Sequence, residues 1–214
     1  MSEQAAAARL KGENLTCVRG ERTVFRGLDF AVPTGGALVL RGPNGSGKTS
    51  LLKILAGLLK PAAGQVTWDG DAIADDPEGH RARLHYVGHL DAVKPVFTVA
   101  ENLAFWAALH GGSVASVPQA LARMGLEGLE DMPAAYLSAG QRRRLALTRI
   151  AASPAKLWLL DEPTVTLDEE SVAAIQALIA EHREKGGIVM VATHGELALA
   201  GADELRLDLS GPAL

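Results

Sequence analysis

The sequence holds one cysteine, Cys17, so an internal disulfide is excluded and no second thiol is available to complete a metal site. Cys17 reads as a small core residue. Long apolar runs are missing too: "LWLLDE" and "GGIVMVATH" fall far short of the roughly 18–20 residues that a bilayer crossing needs. The opening "MSEQAAAARLKGE" has neither a basic start nor a long apolar stretch. It reads as a cytosolic beginning, frayed over residues 1–10, and not as a secretory signal. Positive charge is not in excess, since the net charge is -4 and the pI about 5.9. That removes broad electrostatic attraction to nucleic acid or anionic lipid, and no nucleic-acid partner is expected. Repeats and low-complexity linkers are absent. What remains is a chain of 214 residues with an ordinary 48% hydrophobic content, enough for one sizeable core.

The apolar pattern predicts an α/β fold. "TVFRGLDFAVPTGGALVLRG" alternates apolar and polar residues between Gly and Pro breaks, which predicts short strands leading to Gly42. "KTSLLKILAGLL" spaces Leu51, Leu52, Leu55, Leu58 and Leu59 as the buried face of a helix. "GQVTWDG" and "LHYVGH" read as strands, "DDPEGH" and "HGGSVASVPQ" as surface loops. A helical lobe over about 95–150, opening at "FTVAENLAFWAALHG", is inserted before the strand "AKLWLLDE", the helix "DEESVAAIQALIAEHREKG" and the strand "GIVMVA". Such alternation means a mainly parallel sheet with helices on its faces, in one domain spanning 11–210.

The stretch from Gly42 to Thr49, with Pro43, Asn44, Gly45, Ser46, Gly47 and Lys48 between, matches G-x-x-x-x-G-K-[ST] between a predicted strand and a predicted helix. Its glycines let backbone N–H groups turn inward onto phosphates. Lys48 is then placed to reach the β- and γ-phosphates of a nucleotide, with Thr49 on Mg²⁺. In an open parallel sheet the ligand binds at the carboxyl ends of the strands. Asp161 and Glu162 end one predicted strand and His194 follows another, so all three should converge on the loop. Asp161 would support the metal, and Glu162 would orient or deprotonate an attacking water. His194 would sense the γ-phosphate.

"LSAGQRRR", residues 137–144, supplies a second anion-binding helix start at Ser138, Ala139 and Gly140. Arg142, Arg143 and Arg144 sit awkwardly there, because that end of the helix dipole is already positive and a nearby anion would relieve it. A solvent-facing basic helix is the other reading.

With these motifs in order, the sequence resembles the nucleotide-binding subunit of ABC transporters, a P-loop NTPase. "LSAGQ" looks like that family's signature LSGGQ with one Gly replaced by Ala139. "DEPTVTLD" looks like its Walker B segment running into the D-loop at Val165–Asp168, and "ATH" like its switch-histidine segment. Within the family the chain is most similar to the haem-handling ATPases of bacterial c-type cytochrome biogenesis, on "LTCVRGERTVFRGLDF", "YVGH" and "ENLAF" besides the motifs above. The resemblance implies ATP and Mg²⁺ as cofactors, an N-terminal antiparallel β portion, and a nucleotide-sandwich dimer in which Ser138 to Gln141 of one copy meet the nucleotide of the other. It also implies integral-membrane partners of the cytochrome c maturation system and a peripheral place on the cytoplasmic face of the bacterial inner membrane.

Two positions depart from the family. His89-Leu90 stands where most members carry a Q-loop glutamine, and Arg19 stands where an aromatic residue stacks on adenine. A guanidinium plane can also stack on a base. His85 and His89 are not expected to bind haem, since no Cys-x-x-Cys-His motif is present. A small-molecule P-loop kinase would explain the loop but not "LSAGQ" or the switch histidine. A soluble ABC protein of translation or DNA repair usually carries two cassettes or a long insertion. An ABC subunit for another cargo is the nearest rival.

Overall fold

The computed structural model describes residues 8–195 and 197–208. Two sheets form the frame. β1 (Ala8–Arg19), β2 (Arg22–Pro33), β4 (Ala63–Trp68) and the short β5 (Asp71–Ala72) make an antiparallel sheet in the order β2-β1-β4-β5. β3 (Ala37–Arg41), β6 (Leu84–Val87), β7 (Leu157–Asp161), β8 (Ile188–Ala192) and β9 (Asp203–Arg206) make a parallel sheet in the order β6-β7-β8-β3-β9. Every residue of β7 and β8 is buried, as expected for parallel strands covered on both faces and read as unbroken apolar runs.

Side chains of β7 alternate between two apolar clusters. Leu157 and Leu159 pack with α1 (Lys48–Leu55) and the antiparallel sheet. Trp158 and Leu160 face the other way, toward α5 (Ala139–Ala152) and α6 (Glu169–Glu184). α3 (Val99–Leu109) and α4 (Val117–Ala122) also lie between β6 and β7 in the chain. Their Val99, Leu103, Val117 and Leu121 join the same cluster as Leu160 and Val191, so these helices share the core of the sheet. α3 starts where Thr98 and Glu101 form a reciprocal capping box, which satisfies two N–H groups that the helix leaves open.

Local expectations fail in four places. Residues 8–10, expected to fray, begin β1, where Leu10 is fully buried and pairs with both Val32 and Trp68; residues 1–7 lie outside the described residues. The helix after the glycine loop stops at Leu55 and does not run on to Leu59, because Gly57 takes a left-handed φ of 68° just beyond the cap at Ala56. Leu58 is left 60% exposed. "DDPEGH" is not a plain loop: Asp76 caps α2 (Pro77–Ala82) through Gly79, and Pro77 occupies the first helical turn. "HGGSVASVPQ" holds a 3₁₀ turn at Val114–Ser116 and the start of α4.

His85 on β6 is 1% exposed, with Nε2 3.2 Å from the Ser153 carbonyl oxygen and its ring 4.3 Å from His110. Burial first, and then the neighbouring charges of His110 and Arg149, hold its pKa down to about 3. His182, stacked on Trp158 at 3.8 Å, is held to about 4, chiefly by burial. The folded protein therefore refuses protons that the unfolded chain takes up below about pH 6.5. Stability is complete above that value and falls as pH drops toward 4, by about 2 kcal/mol for His85 alone between pH 7 and 5. Melting curves over that range should show this loss, and His85→Gln should reduce it to the share that His182 contributes; an unchanged slope would remove His85 from the account.

Candidate active site

The glycine loop leaves the carboxyl end of β3 and feeds directly into α1. Gly42 has φ 143°, and a Cβ there would lie 2.0 Å from the Leu207 carbonyl oxygen, so only glycine fits. Gly47, with φ 104°, is the N-cap of α1. Among the described residues no side chain caps this helix, and no acidic residue sits in its first turn. Its open N–H groups and positive dipole end are thus available to an anion. Lys48 is 6% exposed, and its Nζ donates to the carbonyl oxygens of Gly42 at 2.7 Å and Pro43 at 3.2 Å. The ammonium is held inside its own loop, where a phosphate would compete for it with two neutral acceptors.

Around this loop lies a cavity of about 480 Å³. Asn44, Gly45, Gly47, Lys48 and Thr49 form one wall, and Asp161, Glu162, Val165 and His194 face them from the ends of β7 and β8. Asp161 is 2% exposed and its Oδ2 has no hydrogen-bond partner among the described residues. Its charge, after burial, helps push the Tyr86 phenol up to about 12. Glu162 takes a left-handed φ of 50° and donates its N–H to Ala192 O at 2.8 Å, which ties the bend to β8. Its Oε1 lies 2.5 Å from His194 Nδ1, a close contact and not a well-directed hydrogen bond. The backbone N–H of His194 donates to the other oxygen, Oε2, at 3.4 Å. A buried carboxylate against an imidazole, facing a lysine and an uncapped helix start, can hold a water opposite a bound phosphate.

The remaining sequence-derived residues are placed elsewhere. Gly42, Pro43 and Ser46 belong to the loop but do not line the cavity. Arg19 is exposed on β1 and is not on the wall; Val24 of β2 stands there. Ser138 and Gln141 form a capping box at the start of α5, the Ser138 Oγ accepting from Gln141 N at 3.2 Å. Ser138, Ala139, Gly140 and Gln141 are all outside this cavity. Gly140 comes close to the D-loop, where a Cβ would be 3.1 Å from Thr166 O.

Two residues were not anticipated. His89, noted as a departure from the glutamine pattern, lines the cavity beside Asp161. Arg143 is 5% exposed and belongs to neither a solvated basic face nor an external anion site. It donates to the carbonyl oxygens of Asp161, Glu162 and Gly88 and pairs with Asp91. Arg142 and Arg144 likewise donate to backbone carbonyls, of Leu137 and of Met124 and Gly125. The helix start is thus relieved by oxygen atoms of the chain itself. Consecutive arginines in a sequence do not reveal which carbonyls the fold will bring to them.

Comparison with known proteins agrees with the fold. The model of the ABC transporter family matches residues 25–165. The cytochrome c biogenesis ATP-binding export protein CcmA of Paramagnetospirillum magneticum is 56% identical over 92% of both chains. The protein of the same name from Rhodospirillum rubrum is 55% identical over 97% of this chain and 89% of its own. Among solved structures, an ATP-binding subunit of an ABC transporter superposes with TM-score 0.84 at 25% identity, covering 94% of this chain and 88% of that one. A dimeric ATP-binding cassette in a post-hydrolysis state with ADP and Pi gives 0.82 at 25% identity, over 94% and 96%. By the family model and these relatives, the chain belongs to the ABC transporter family as one of its ATP-hydrolysing cassettes.

Proposed function

We propose that this cassette drives a membrane complex in c-type cytochrome biogenesis, coupling ATP binding and hydrolysis to haem export or to release of a haem chaperone. The observation that carries this reading is the near-full-length identity to the cytochrome c biogenesis export proteins. No helix among the described residues is long and apolar enough to cross a membrane, so any translocation path would come from separate integral-membrane subunits. The chain would dock on their cytoplasmic side, with α3–α5 as the lobe that transmits motion.

In the proposed cycle Lys48 and the N–H groups at the start of α1 bind the β- and γ-phosphates. Mg²⁺ would be held by Thr49 and Asp161, a set that fits because the buried Asp161 Oδ2 has no partner among the described residues. The ion would neutralise phosphate charge that develops during transfer. Glu162 orients and accepts the proton of the attacking water, worth about 10²–10⁴ in rate. His194, already against Glu162, faces the γ-phosphate. Ser138 to Gln141 lie outside their own chain's cavity, which favours their serving a second copy in a sandwich around two nucleotides. ATP favours the closed dimer and its hydrolysis releases it, by differential binding to the two forms.

The test is to purify Glu162→Gln from membranes in the presence of ATP, identify the proteins that accompany it, and assay the complex for haem. Recovery of haem-handling membrane proteins is the expected result. An unrelated permease in their place would overturn the cargo and leave the cassette assignment standing.

A further inference from the structure

Arg143 divides its donors between two parts of the fold. Nη2 donates to Asp161 O at 2.7 Å and Glu162 O at 2.9 Å, while Nη1 donates to Gly88 O at 2.9 Å and Asp91 Oδ1 at 3.0 Å. The first pair sits on the bend that presents the Glu162 carboxylate. That bend is left-handed, a conformation a non-glycine residue adopts only when its surroundings hold it. β8 grips it from one side through Ala192 O, and Arg143 grips both of its carbonyls from the other. The second pair brackets His89, which lines the cavity between Gly88 and Asp91, next to the 81% exposed Leu90. One buried guanidinium thus joins a surface segment to the backbone of the residue that faces the nucleotide.

We propose that Arg143 is a positioning residue for hydrolysis: it couples segment 88–91 to the Glu162 bend, so that a displacement of the segment moves the carboxylate. Arg143 does not line the cavity, and its effect passes through the Glu162 peptide. A lysine cannot replace it, because a single ammonium lacks the planar fork that reaches both sides at once. The inference rests on the reading of Glu162 as the group that orients water.

The test compares Arg143→Lys, Asp91→Asn, the double variant and Glu162→Gln, each assembled with the membrane subunits, by kcat, ATP KM and nucleotide affinity. Arg143→Lys should lower kcat about 10- to 100-fold, the cost of a small misplacement at a reacting centre, with KM and affinity changed less than about threefold. Asp91→Asn should lower kcat less, and the double variant should be no worse than Arg143→Lys alone, since both break one tether. A purely structural pin would lower the melting temperature without this split between kcat and KM. Full turnover of Arg143→Lys, or strictly additive losses in the double variant, overturns the proposal. Should Arg143→Lys not fold, Asp91→Asn decides alone, because Asp91 is partly exposed: unchanged kcat overturns the coupling and a selective kcat loss supports it. If Arg143→Lys is fully active while Glu162→Gln is dead, only this proposal falls. If Glu162→Gln keeps its turnover, the base assignment and the tether fall together.

Discussion

Glu162→Gln is expected to lower ATP turnover by at least about 10²-fold while nucleotide binding persists. Gln keeps the shape of the side chain and an oxygen for orienting water, but its amide cannot take the proton that the attacking water must lose. The geometry makes this loss specific. Glu162 is 9% exposed and stands on a bend fixed by Ala192 and Arg143, so another carboxylate has little room to substitute. Asp161, the adjacent acid, is 2% exposed and assigned to the metal. Steady-state phosphate release measures the first quantity and equilibrium binding of labelled ATP the second. Near-normal phosphate release would refute the role given to Glu162. Lost binding would show that the substitution had damaged the cavity and not the chemistry.

The second large effect is expected at Lys48, where Lys48→Ala should weaken ATP binding roughly 10- to 150-fold. That range follows from losing charge-assisted hydrogen bonds of about 1.5–3 kcal/mol to phosphate. The change also strands the carbonyls of Gly42 and Pro43, which now accept from Nζ. The fold should nevertheless survive, since α1 is anchored by the fully buried Leu51, Leu52 and Leu55. Isothermal titration with ATP, beside a melting curve of each protein, separates the two consequences. Unchanged affinity in a folded variant would sink the assignment.

Much of this was legible in the chain. Buried parallel strands announce themselves as apolar runs, and β7 and β8 are where "LWLLDE" and "GIVMVA" place them. The site was legible for the same reason: a glycine loop after one strand and acids after another must meet at one edge of a parallel sheet. The misses have local causes. Pro77 looks like a breaker in "DDPEGH", yet a proline with a capping aspartate before it begins a helix. β9 is short and largely exposed, without the apolar signal that marks its neighbours. Gly57 ends α1 two leucines before the pattern does. Arg143 could not be read at all, because its acceptors, at Gly88, Asp91, Asp161 and Glu162, lie distant in sequence on either side of it.

The order of the parallel sheet also bears on how the chain comes off the ribosome. β3 carries the phosphate loop, but among the described strands it pairs only with β8 and β9, from Ala37 against Val189 to Arg41 against Arg206. At about 5–20 residues per second of synthesis, the partners follow it on the order of ten seconds later. For all that interval the loop's strand has no neighbour in its sheet, and the contacts that close the sheet are among the most distant in sequence. The nucleotide site therefore cannot be completed until β8 and His194 have been made. A chain stalled before Ile188 would have its glycine loop and signature helix already made, and no ATPase.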